Sequence, residues 1–168
     1  MKNYAESYYL KILFDKVKVK EVMSQPAVTI GVKDKLSEAV LKFKTHGIFY
    51  LVVVNFQNEP IGLLSTKYVY KTQSPRKLLS PNEFYSGMHT VLDGDAYYEK
   101  NIIDGYSLKN VMKLSPFIME EDDCLTDALH QMAKKNITCI PIVDKKNIVK
   151  GILTDREILG FFSNLIKE

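Results

Sequence analysis

The sequence predicts an α+β fold made of two copies of one β-α-β-β-α unit, related by a pseudo-twofold axis. Three observations predict it: a gapless internal repeat, helical apolar spacing inside each copy, and a pair of short apolar strands after each such helix. Val22-Met23 recurs as Val111-Met112, an offset of 89 residues (22 to 111). At that offset Asp34 falls on Asp123, Leu36 on Leu125, Ala39 on Ala128, Ile48 on Ile137 and Val54 on Val143. Asn58 then falls on Asn147, Gly62 on Gly151 and Leu64 on Leu153. Conservative pairs such as Ser37 with Thr126 and Ser65 with Thr154 fill the intervals. A single register held from Val22 to Val69 marks a duplication, and self-similarity at a fixed period is the signature of repeated architecture.

The elements follow in order. An extended stretch opens each copy, Ala27 to Ile30 and Pro116 to Met119. Leu36, Ala39, Val40 and Phe43 then have the i, i+3, i+4, i+7 spacing of one helix face, and Leu125, Ala128, Leu129 and Met132 repeat it. Asp34 and Asp123 stand where a carboxylate caps the free N–H groups of a helix. Gly47 and Asn136 stand at the far end, where a left-handed residue is favoured. Two strands come next, Tyr50 to Val54 with Pro60 to Leu64, and Cys139 to Val143 with Val149 to Leu153. The polar segments Asn55 to Asn58 and Asp144 to Asn147 turn the chain between them. A closing helix starts at Thr66 and at Asp155. A unit of roughly fifty to sixty residues buries little core by itself. The expected arrangement is therefore two three-stranded sheets facing each other with helices outside. The expected boundaries are an N-terminal segment 1–18, a first unit 19–70, an insert 71–106 and a second unit 107–168.

Composition excludes several classes. Of 168 residues, 46% are hydrophobic and 26% charged, the balance of an ordinary globular chain. The net charge of +3 is spread along the chain with acids between the bases, so no nucleic-acid partner is expected. The longest apolar run, Ile48 to Val54, is too short to span a bilayer, and no secretory signal is expected. A cytoplasmic, reduced location follows, with Cys124 and Cys139 in patterned segments and not in a disulfide framework. Cys139 reads as a small buried hydrophobe, and Met112, Met119 and Met132 as core. His46, His89 and His130 lack zinc-type spacing, and His46 and His130 are expected to face solvent. No G-x-S-x-G, Walker or G-x-G-x-x-G pattern occurs, so neither catalysis nor a required cofactor is expected.

Taken in order, Val111-Met112, a Pro-led strand, Leu-x-x-Ala-Leu-x-x-Met, Asn136-Ile137-x-x-Ile140-Pro141-Ile142-Val143-Asp144 and Gly151-Ile152-Leu153-Thr154-Asp155-Arg156 resemble a CBS domain. The first unit is a looser copy, with Gly47-Ile48, Val52-Val53-Val54 and Gly62-Leu63-Leu64-Ser65. The resemblance covers Val19 to Tyr70 and Ser107 to the end. It implies a tandem pair that senses an adenosine-containing ligand, such as AMP, ADP, ATP or S-adenosylmethionine, between its two halves. Such a pair regulates a target, and because the sequence shows no catalytic or membrane domain the target is expected to be a separate protein. Carried onto this sequence, the family's binding positions are Ile118, Thr138, Cys139, Ile140, Pro141, Thr154, Asp155, Arg156 and Glu157, with Thr29 and Ser65 from the first unit.

Two features bear on whether a ligand site persists. The family's Ser/Thr-x-x-Asp, whose hydroxyl meets phosphate at a helix N-terminus and whose acid accepts from the ribose diol, is Thr154-x-x-Glu157 here. The same four residues also form a capping box that needs no ligand. In the first unit Tyr68 stands at the acid's place and Val52 at that of Pro141, so a degenerate site would be the one carrying Ser65. An interaction or assembly protein with a decayed site is the alternative reading. The resemblance further implies a homodimer through the helices, and Ile158, Leu159, Phe161, Phe162 and Leu165 are too many apolar residues for one buried helix face. The insert is long for an unstructured link. Its Phe84, Tyr85, Tyr97 and Tyr98 suit an ordered, packed segment.

Overall fold

The protein is described here by a computed structural model covering residues 14–73 and 104–167. The expectations for Phe84, Tyr85, His89, Tyr97 and Tyr98 lie outside those residues. The first repeat opens with a short helix α1 (Val19–Val22), then β1 (Thr29–Gly31), α2 (Leu36–His46), β2 (Tyr50–Val54), β3 (Pro60–Ser65) and α3 (Thr66–Gln73). The second runs α4 (Leu108–Val111), β4 (Lys113–Leu114), β5 (Met119–Glu120), α5 (Leu125–Lys135), β6 (Cys139–Val143), β7 (Val149–Thr154) and α6 (Asp155–Lys167). The α+β class and the order β-α-β-β-α, twice, are as expected from the repeat.

Local chemistry explains most boundaries. Leu36, Ala39 and Phe43 of α2 are buried, as are Leu125, Ala128 and Met132 of α5. Both helices end on a left-handed residue, Gly47 at φ 61° and Asn136 at φ 50°. The hairpins turn on Asn58 and Asn147, both at positive φ, where Asn is among the residues that tolerate the left-handed region. The expected role of Asp34 and Asp123 is corrected. The caps are Lys35 and Cys124, while the Asp34 carboxylate accepts the Gly31 N–H and that of Asp123 the Glu120 N–H, each at 2.8 Å. One residue further from the helix than a cap, each Asp closes the turn that leaves the strand.

The two sheets have orders β1-β2-β3-β4 and β5-β6-β7. In each, the first strand runs parallel to the second and the third antiparallel to it. The fourth strand of the first sheet was not expected. It comes from the second repeat, Leu63 pairing with Lys113 and Gly62 with Leu114. The same exchange occurs in reverse, where Ser24 bridges Ile152 and the two trade N–H···O bonds of 2.9 Å. The opening helices follow. Leu108, Val111 and Met112 are buried with Ile30, Leu36 and Leu64, whereas Val19, Val22 and Met23 are buried with Leu125, Ile140 and Leu153. Lys20 Nζ holds Asp122 at 2.7 Å across the same junction. Each repeat thus completes the core of the other.

A third cluster lies between the sheets, where Val52, Val54 and Leu63 meet Cys139 and Val149. Strand alternation sends Leu51, Val53 and Leu64 to the helix side and Val52, Val54 and Leu63 to this inner side. That two-sided burial is why β2 and β6 read as continuous apolar runs. Two glycines permit the exchange. A Cβ on Gly62 would run into the Met112 side chain, with Cγ at 3.0 Å. A Cβ on Gly151 would meet both the Met23 side chain and, at 2.9 Å, the Ser24 carbonyl oxygen.

A flexible methionine can move, but a carbonyl held in a strand bridge cannot. Gly151→Ala should therefore lose about 1–3 kcal/mol, and Gly62→Ala distinctly less. Urea unfolding midpoints of the two variants check the order, and equal losses would contradict it.

Candidate functional site

The exchange leaves two clefts, each walled by both repeats. Strand β7 ends at Thr154 and α6 starts at Asp155, so this strand-to-helix corner presents Thr154, Asp155, Arg156 and Glu157 at the mouth between the sheets. Facing them are Ser24, Pro26 and Val28 on the way into β1, and Ile48, Phe49 and Tyr50 on the way into β2. The cleft they enclose has a volume of about 300 Å³, at the small end of the range for organic ligands. Its pseudo-symmetric counterpart, about 370 Å³, sets Ser65, Thr66, Lys67 and Tyr68 against Lys113, Pro116, Phe117 and Asn136 to Cys139. The hydroxyls of Tyr50 and Thr138 hydrogen-bond at 2.6 Å between the two clefts, and Phe49 and Tyr50 line both.

The positions expected to bind divide between these clefts. Thr154, Asp155, Arg156 and Glu157 share the first, and Ser65 shares the second with Thr138 and Cys139. Ile118 lines a separate open hollow beside Asp123 and Asp144. Ile140 is fully buried in the helix-side core. Pro141 is buried on the central strand β6, opposite Ile152. Thr29 is half-buried on β1, its carbonyl accepting Lys42 Nζ at 2.6 Å. The partners that the sequence reading missed are Pro26, Val28, Phe49 and Tyr50 for the Thr154 cleft, and Lys67 and Lys113 for the other. The aromatic pair Phe49-Tyr50, set where the second repeat has Thr138-Cys139, was the available signal.

The CBS domain family matches residues 19–73 and 108–164, both repeats and most of the chain. The chain belongs to the CBS domain family. An uncharacterized protein of Methanocaldococcus jannaschii, MJ1404, is 25% identical over 158 residues, covering 94% of this chain, which spans about a third (34%) of that relative's length. The CBS domain pair of protein MJ0100, in complex with 5′-methylthioadenosine and S-adenosyl-L-methionine, shares the fold with a TM-score of 0.65 and 21% identity, over 88% of this chain and 97% of that one. CBSX2 in complex with AMP does so with a TM-score of 0.66 and 17% identity, over 90% and 99%.

The two CBS clefts differ in their hydrogen bonding. At the Thr154 corner the capping box is formed. The Thr154 hydroxyl donates to Glu157 Oε2, which also accepts the Thr154 N–H at 3.1 Å, and the Arg156 N–H reaches the Thr154 hydroxyl oxygen at 3.2 Å. At the other corner Tyr68 replaces Glu157. The Ser65 side chain, 7% exposed, has no hydrogen-bond partner among the described residues. Backbone groups differ as well. The Val52 N–H donates to the Val28 carbonyl at 3.4 Å, a bond that Pro141 cannot make to the Phe117 carbonyl at the equivalent place. Burial pushes the Cys139 thiol far above its ordinary range, so it stays protonated and packs as a hydrophobe. His46 and His130 are exposed, and the described residues hold no cluster of three metal-ligating side chains.

Removing a working cap and removing an unpartnered hydroxyl have different costs. Thr154→Ala is expected to lose about 1 kcal/mol. Ser65→Ala should stay within about 0.5 kcal/mol of the parent or gain slightly, because a buried polar group without a partner is itself unfavourable. Chemical denaturation of both variants reads the difference.

Proposed function

We propose that this CBS pair is a regulatory module that senses an adenosine-containing ligand in the clefts between its repeats and passes the information to a target that it regulates. The observation that carries the reading is the composition of each cleft. A strand-to-helix corner with a hydroxyl at a helix N-terminus comes from one repeat, facing apolar and aromatic walls from the other. A flat heterocycle suits the walls, and a polar sugar or its substituent suits the corner. The ligands in complex with the fold neighbours, S-adenosylmethionine with 5′-methylthioadenosine and AMP, support the same chemical class. One observation favours the alternative, an assembly protein without a ligand: Thr154 and Glu157 satisfy each other as they stand.

A screen of thermal unfolding with AMP, ADP, ATP, S-adenosylmethionine and NAD separates the two. A ligand at a hundredfold excess over its Kd should raise the midpoint by about 5–10 °C. No shift with any of the five would leave the assembly reading standing.

We further propose that the chain works as a homodimer. Leu159 on α6 is 68% exposed and Ile166 85%, and Leu165 on α6 and Leu41 on α2 are exposed as well. No described helix is long and apolar enough to cross a membrane; a second copy of the chain would cover these side chains. Light scattering should give twice the 19.3 kDa of one chain, and Leu159→Glu should shift the population toward the monomer. A monomeric mass at all concentrations would contradict the proposal.

A further inference from the structure

We infer that the two clefts divide ligands by charge: the Ser65 cleft takes a phosphate-bearing ligand and the Thr154 cleft a neutral or cationic one. For the organic part of each ligand this rests on the adenosine-sensing reading; for the charge it stands on the side chains alone.

Four aligned positions set the comparison. Where the Thr154 cleft has Ser24, Arg156 and Glu157, the Ser65 cleft has Lys113, Lys67 and Tyr68. Asp155 has Thr66 as its counterpart. Among the described lining residues the Ser65 cleft therefore carries two cations and no carboxylate, and the Thr154 cleft two carboxylates against one cation. Neither lysine is drawn into an ion pair among the described residues.

The tyrosine acts twice. It removes the negative charge, and it leaves the buried Ser65 hydroxyl free at the N-terminus of α3, pointing at the lysines' cleft. A hydroxyl, helix N–H groups and two ammonium groups together are an anion's binding partners. At the other corner the Glu157 carboxylate already sits on the Thr154 N–H and hydroxyl. An entering phosphate would have to displace it against like charge, whereas a neutral nucleoside or a sulfonium would not. The charge thus runs opposite to the expectation from motif alone, which had the Ser65 site as the degenerate one.

Isothermal titration of the full chain tests this with ATP, tripolyphosphate, adenosine and S-adenosylmethionine. Lys67→Gln with Lys113→Gln should weaken ATP and tripolyphosphate about tenfold or more and change S-adenosylmethionine by less than about twofold. Asp155→Asn with Glu157→Gln, where Gln still closes a capping box, should weaken S-adenosylmethionine and spare ATP. Lys145→Gln with Lys146→Gln, on an exposed turn outside both clefts, is the control for general charge. Four results overturn the inference: ATP binding untouched by the Lys67 and Lys113 changes, an equal loss in the control, no binding of either polyphosphate compound, or no binding of either neutral or cationic nucleoside. Lysine-dependent binding of tripolyphosphate with no preference for ATP would instead retain the anion site and overturn the adenosine reading.

Discussion

Each repeat buries an apolar surface that its own residues cannot cover. Val19, Val22 and Met23 seal the second repeat, and Leu108, Val111 and Met112 seal the first. The contact is close, a glycine lying opposite each methionine, Gly151 against Met23 and Gly62 against Met112. The rest of the architecture depends on this exchange. It lays Ser24 against Ile152 and Lys113 against Leu63, which brings the entry into one repeat's first strand beside the other repeat's strand-to-helix corner. The clefts are what remains between those two pieces of backbone.

Because the repeat is duplicated, the clefts share one plan and differ chiefly through the side chains set on it. Glu157 closes its own corner on Thr154; Tyr68 cannot do the same for Ser65. Pro141 withholds a hydrogen bond from the Phe117 carbonyl that Val52 supplies to Val28. One cleft therefore has a satisfied corner and a bonded wall, and the other has an open corner and a bare carbonyl. A shared wall of Phe49 and Tyr50, tied to Thr138, keeps the two next to each other without making them alike.

The repeat, the buried faces of α2 and α5, the hairpin turns and the left-handed Gly47 and Asn136 were legible in the sequence, because each is set by local spacing or by a residue's own conformational preference. The exchange was not. Periodicity says that Val22 and Met23 are buried but not against what, and a methionine at 23 facing a glycine at 151 leaves no local pattern. That omission spread to the site. The family's pattern groups Thr138, Cys139 and Pro141 with Thr154 in one repeat, whereas the crossed packing gives Thr154 the walls Pro26, Val28, Phe49 and Tyr50. Asp34 and Asp123 were placed as caps because one residue of offset separates a helix cap from a strand-exit turn, and side-chain type alone does not distinguish them.

The crossed helices also set an order on the chain as it is made. The first repeat's missing piece ends at Leu114, soon after the repeat itself, so its core can close while the second repeat is still being synthesised. The second repeat waits for nothing downstream, since its missing piece is made before it. Yet 102 residues separate Lys20 from its partner Asp122, and at about 5–20 residues per second that is a delay of seconds. Through that interval Val19, Val22 and Met23 have no groove to enter. Long-range closures of this kind slow folding, and the segment left waiting is the one whose arrival completes the second core.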